Sequence, residues 1–189
     1  SYVANGLAGT GGSVWLTAGT IRGAATGRVT ANGGGSGSGL AGGGGRVSLV
    51  QTAARDFSQW KGKESVSGAG TVFRRAAGTE EGTVTVANAS GKGVTELPAS
   101  GAGDSRSRHR LWAYVVRDGG GLAVTRDVRI RDLLLEDATA KVILGGNTLT
   151  ITSFEHKDRA GWDPGATVDD SAGGEIVWKH PNGFLLYVK

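Results

Sequence analysis

Apolar residues along this chain recur at every second position in short runs, and Gly, Asn, Asp or Ser bounds most of them. "SVWLTA" (13–18), "GRVTA" (27–31), "RVSLVQ" (46–51), "TVFRRA" (71–76), "GTVTVANA" (82–89) and "RLWAYVVRD" (110–118) carry this alternation or a β-rich composition. So do "LAVTRDVRI" (122–130), "AKVIL" (140–144), "TLTITSFE" (148–155), "GEIVWK" (174–179) and "GFLLYVK" (183–189). A period of two sends alternate side chains to opposite faces of a strand, so these runs predict strands. The best helix candidate, "RDLLLEDATAK" (131–141), is short, and a strand from Val128 to Leu135 accounts for its leucines equally well. The chain is expected to be all-β.

Gly dominates residues 11–49, yet Val14, Leu16, Ile21, Val29, Val47 and Leu49 keep orderly intervals through the same stretch. A flexible linker lacks such periodic apolar residues. Short strands with Gly-rich corners, spaced so that roughly 20 residues make one rung, fit a solenoid repeat. Stacked rungs lie about 4.8 Å apart, and corner residues with positive φ favour Gly. This reading puts Val14, Leu16, Val29, Val47, Leu49, Val84 and Val86 inside and lets the loop from Gly33 to Gly45 project. The rival is an antiparallel sandwich. It requires tight Asn-Gly or Asp-Gly hairpins, which only "ANGG" (31–34), "RDGG" (117–120) and "PNG" (181–183) approach.

The order of phrases carries a resemblance. "GGSVWLTAGTIRGAATGRVTANGG", a Gly/Ser loop, "GGGGRVSLV", "DFSQWKGKESVSG", "GAGTVFRRA" and "GTVTVANASGKGVTEL" follow one another over about residues 9–97. This series resembles a glycine-rich module of very large bacterial surface and secreted proteins, adhesin-like and of autotransporter type. The resemblance implies a right-handed parallel β-helix (β-solenoid) with Gly-rich loops and carries over no catalytic residue. "AKVILGGNTLTITS" and "GGEIVWK" are similar to the plain rungs that follow the module. Arg74-Arg75 and the basic "DSRSRHR" loop depart from the pattern. A single solenoid domain over 1–189 is expected, with the glycine-rich module in 1–100 and C-terminal rungs in 101–189.

Composition narrows the picture little further. At 189 residues and 38% hydrophobic content the chain can bury one real core. Without cysteine it has no disulfide framework and no thiolate metal site. No apolar run approaches the roughly 20 residues of a membrane span, and the N-terminus lacks signal-peptide regions, so such a segment was removed or never existed. The net charge of +4 invites a nucleic-acid reading. The basic residues are scattered, however, and the tract Arg106–Arg110 reads as a solvated loop rather than a basic stripe, so no nucleic-acid partner is expected.

Candidate chemistry is sparse. Gly37, Gly39 and Gly42 satisfy G-x-G-x-x-G, but a strand rather than a helix follows. "LPASG" (97–101) reads as a turn, and Asn88-Ala89-Ser90 is a glycosylation sequon by pattern alone. His109, His156 and His180 lack the spacing of a zinc site. The acids Glu155, Asp158, Asp163, Asp169, Asp170 and Glu175 form a string that calcium can use, although the default is a solvated loop and no cofactor. Trp162, in the loop "AGWDPG", is the best exposed candidate for stacking on a glycan.

The expected function is a structural or adhesive element of a bacterial extracellular surface assembly or filament, not an enzyme. The alternative is a carbohydrate-binding module or a polysaccharide lyase or hydrolase built on a β-helix, which needs convergent acids in a cleft. Neither chain end carries a charged or helical cap. The chain is therefore either a piece of a longer solenoid packed on neighbouring repeats, or it associates with itself end to end by strand addition. The strand Phe184, Leu185, Leu186, Tyr187 and Val188 is the expected contact.

Overall fold

A computed structural model describes residues 9–34, 42–66, 68–88, 93–97 and 106–180. The fold is all-β. In chain order the strands are β1 (Ser13–Ala18), β2 (Arg28–Thr30), β3 (Arg46–Gln51), β4 (Lys63–Ser65), β5 (Gly70–Arg75), β6 (Gly82–Ala87) and β7 (Thr95–Leu97). A four-residue helix α1 (Arg106–His109) precedes β8 (Trp112–Arg117), β9 (Gly121–Val124), β10 (Val128–Ile130) and β11 (Asp132–Leu135). Last come β12 (Lys141–Ile143), β13 (Thr148–Ile151), β14 (Thr167–Asp169) and β15 (Glu175–Trp178). The leucines of the helix candidate are strand residues: the 122–130 and 131–141 patterns resolve into β9, β10 and β11, which belong to three different sheets.

The sheets are ordered β1-β3-β5-β6-β8-β11, β14-β12-β9-β7, β10-β13-β15 and β2-β4. Every ladder is parallel except β5 with β6. Parallel neighbours cannot be joined by a tight turn. Here the chain reaches each neighbour by way of the other sheets, so β8, β9 and β10 are followed by β11, β12 and β13, each lying beside its counterpart.

The antiparallel pair departs from the uninterrupted parallel stack expected from the sequence. Phe73 faces Val84 and Val72 faces Thr85, so these pairs lie on opposite sides of the sheet. Val72 belongs to one core with Ile21, Ala31, Val47, Leu49 and Val66. Val84 belongs to another with Val86, Tyr114, Val116, Leu133 and Leu135, and Phe73 packs against that second core. The six-stranded sheet is thus a shared wall, with the N-terminal core on one face and the C-terminal core on the other. The change of face falls between Arg75 and Gly82, earlier than the expected module boundary near residue 100.

Register explains the inward rows. Val14, Val47 and Val72 are aligned, as are Leu16, Leu49 and Arg74. Val47, Leu49, Val84 and Val86 are buried, while Val14 and Val29 are half-buried. Leu16 is 39% exposed, against expectation, because β1 is an edge strand with a neighbour on one side only among the described residues.

The N-terminal core ends on polar residues. Glu64 aligns with Val29 and Arg74 with Leu49, so both occupy inward rows. Their ion pair closes the row ends, and the Trp60 indole N–H also donates to Glu64 at 2.8 Å. Trp60 in turn lies against glycine backbone: a Cβ on Gly23 would stand 2.2 Å from its ring and one on Gly62 2.5 Å. Two of the glycines in this half are therefore required by a tryptophan rather than by turn conformation.

Candidate functional site

The segment after β13 folds back over β11 and brings together three side chains of metal-ligating type, Asp132, Glu155 and His156. Ser153 donates its backbone N–H to the Arg131 carbonyl at 2.7 Å, the Trp162 indole N–H donates to the Leu133 carbonyl at 2.8 Å, and the Asp163 N–H donates to Leu135 at 2.9 Å. The segment thereby pairs with the β11 edge of the six-stranded sheet, which no further strand covers among the described residues. Between these anchors it makes a tight turn, with Asp158 at φ 54° and Arg159 at φ 69°.

This path sets His156 over Asp132. Asp132 aligns with Ala113 on the sheet face opposite Leu133 and Leu135, and it is only 4% exposed. His156 Nδ1 lies 2.7 Å from Asp132 Oδ2, while Asp132 Oδ1 is buried with no hydrogen-bond partner. Glu155 adds an exposed carboxylate, and one ligand atom from each of the three lies within 4.8 Å of the others.

The remaining expected site residues do not converge there. Trp162 is half-buried, contrary to its reading as an exposed stacking platform. Its indole N–H is used on the sheet edge, its ring is 6.4 Å from that of Trp178, and the Arg159 guanidinium sits over it at 5.8 Å. A tryptophan drawn out of water usually finds a partner for its N–H, and the Leu133 carbonyl supplies one here. Of the acidic string only Glu155 joins the cluster. Asp163 accepts from the Gly165 N–H at 2.8 Å, and Asp169 accepts from the Ser171 hydroxyl at 2.6 Å and from its N–H at 3.2 Å. These Ser171 bonds hold the Asp169 carboxyl below the usual carboxylate range, with a further contribution from Lys141. Both aspartates shape turns. Phe184, Leu185, Leu186, Tyr187 and Val188 lie outside the described residues.

The sequon is closed in the folded chain, since Asn88 is fully buried and its amide is engaged with the Gly68 N–H and the Gly93 carbonyl. The basic tract is a short helix rather than a loop, although Arg108 and Arg110 are exposed as expected. It forms α1 and inserts His109 beside Trp112 and Tyr114 at the start of the C-terminal core, with Nδ1 and the Tyr114 hydroxyl hydrogen-bonded at 2.6 Å. Burial pushes the Tyr114 hydroxyl up and the His109 imidazole down, the latter aided by the charge of Arg126.

A depressed imidazole has a pH consequence. The unfolded chain takes up a proton near pH 6.5 while folded His109 resists it, so stability is full above that pH and declines as pH falls below about 6.5. His109→Asn is expected to flatten this decline in urea unfolding midpoints. An unchanged slope would place the pH dependence on other groups.

No family model, curated protein or solved structure matches this chain.

Proposed function

We propose that the chain is a right-handed β-solenoid module, serving as a structural or adhesive element of a bacterial extracellular surface assembly. The carrying observation is the repeated order in which the chain returns to its sheets, with inward rows such as Val84, Tyr114 and Leu133 aligned strand on strand. Parallel ladders of this kind let each layer rest on its neighbours, as in a stack of repeats. Strand direction and core side both reverse at the β5–β6 pair. Together those two reversals are a half-turn about the stacking direction, so the two halves wind with the same hand.

The β1 edge supports self-association or continuation into a neighbouring repeat. Among the described residues its outer side is unpaired, and Trp15 is 79% and Leu16 39% exposed. Leu16 heads the row that continues into Leu49, so a further strand laid on β1 would bury it and complete the first layer. The partner is a second copy of this chain or an adjoining repeat.

Light scattering against concentration tests this reading. Wild-type particle mass is expected to rise, and Leu16→Lys to suppress the rise while leaving the melting temperature within about 1–2 °C, because an exposed site tolerates the charge. Leu186→Lys probes the other expected edge in the same way. Strictly monomeric wild type, or association untouched by both substitutions, overturns the self-associating element.

A further inference from the structure

We propose that Asp132, Glu155 and His156 form a binding site for a divalent transition metal, with zinc as the fitting ion, which staples the segment after β13 to β11. The site goes beyond the structural reading above and does not depend on it.

A carboxylate removed from water is stable only when its charge and its lone pairs are met. Asp132 is 4% exposed, yet Oδ1 is buried without a hydrogen-bond partner, and among the described residues its ion-pair partner is His156. One imidazole contact at 2.7 Å satisfies one oxygen and leaves the other wanting. A cation that the carboxylate grips through both oxygens, with the imidazole beside it, would supply the charge and give Oδ1 the partner it lacks.

The donor chemistry then selects the ion. Two carboxylates and one imidazole nitrogen make a mixed oxygen and nitrogen set, whereas calcium and magnesium take oxygen ligands. Zinc accepts Asp, Glu and His at about 2.0–2.2 Å and commonly holds three protein ligands with water in the fourth position. The ligand atoms lie within 4.8 Å of one another, and a tetrahedral ion spaces its donors about 3.3–3.6 Å apart, so Glu155 moves in while the 2.7 Å contact between His156 and Asp132 opens slightly. Glu155 is exposed, so its side chain can swing inward freely, and its exposure leaves the fourth position open to water. Glu155 and His156 are adjacent in the chain, while Asp132 stands on the preceding layer. A metal there bridges two layers as a disulfide would in a chain that has no cysteine.

Titration calorimetry on the chelator-treated full chain with zinc chloride is the test, with melting curves alongside. The expected result is one zinc per chain and a melting temperature raised by roughly 5–10 °C at a hundredfold excess over Kd. Cobalt in place of zinc is expected to give the visible absorption of a tetrahedral site. Glu155→Gln, at an exposed position, should weaken binding by at least the roughly 10–100-fold that losing an outer-shell partner costs. Asp132→Asn should abolish binding, with circular dichroism confirming a folded chain, and His180→Ala should leave binding intact. Absence of heat and of any melting shift overturns the site. So does binding that survives both Glu155→Gln and Asp132→Asn, or that is lost with His180→Ala, because the zinc would then be held elsewhere.

Discussion

Replacing Glu64 with alanine is expected to lower stability by about 2–3 kcal/mol. Glu64 holds its place in an inward row because Arg74 and the Trp60 indole N–H satisfy its oxygens, and its side chain is 6% exposed. Alanine would leave the Arg74 guanidinium and the Trp60 N–H facing an empty site at the end of the N-terminal core. A fully buried pair broken in this way costs about 3–5 kcal/mol. Arg74 is 38% exposed and water can reach it, so the effect is placed below that range. The drop corresponds to roughly 5–10 °C in melting temperature for a chain of this size. Replacing both partners with leucine should cost far less than Glu64→Ala, because matched apolar groups need no partners. Urea midpoints at constant slope measure both variants. Glu64→Ala within about 0.5 kcal/mol of wild type would mean that the pair does not close the core.

That ion pair also shows where local pattern stops predicting this fold. Arg74 stands where an apolar residue would continue the Leu16 and Leu49 row. The row ends there, and a charge at an inward position marks an end rather than an error. In the same strand Val72 and Phe73 are adjacent apolar residues that face opposite ways, each into a different core. A period-two pattern assigns one buried face, and the second is invisible until the partner strand is known. The reversal into β6 was illegible for a related reason: "AAGTEEG" (76–82) carries no two-residue hairpin signal.

Strands with clear alternation were legible, including β1, β3, β6 and β8, whereas β4, β7 and β14 were missed. Each of those three has three residues and a mostly polar composition, and each exists because a parallel neighbour supplies its hydrogen bonds. The polar site obeys the same rule. His156 and Asp132 meet because the segment after β13 pairs with β11, and no local spacing between them announces it. Trp162 was correctly placed in a loop. Its burial depends on a carbonyl at Leu133, which the sequence alone does not place beside it.

The shared-wall arrangement makes the largest prediction. Leu49 and Leu133 are both fully buried, the first in the N-terminal core and the second in the C-terminal core. Truncation of either to alanine removes packed methyl groups and leaves a cavity, at a cost of about 2–5 kcal/mol. The two losses should not spread alike. Each core is packed on its own face of the six-stranded sheet, and the halves are joined mainly through the β5–β6 ladder and the Phe73 contact with the second core. Neighbour-limited packing of this sort allows one part to open while the other stays closed. Native-state hydrogen exchange is therefore expected to quicken in β1, β3 and β5 for Leu49→Ala, with β11, β12 and β13 still protected. For Leu133→Ala the amides of β8, β11 and the strands around them should quicken first. The boundary should fall at β5 and β6, whose amides respond to both substitutions because each strand carries side chains of both environments. Equal acceleration of both halves by either variant would show that the sheet transmits the full loss, and that the two cores unfold as one cooperative unit.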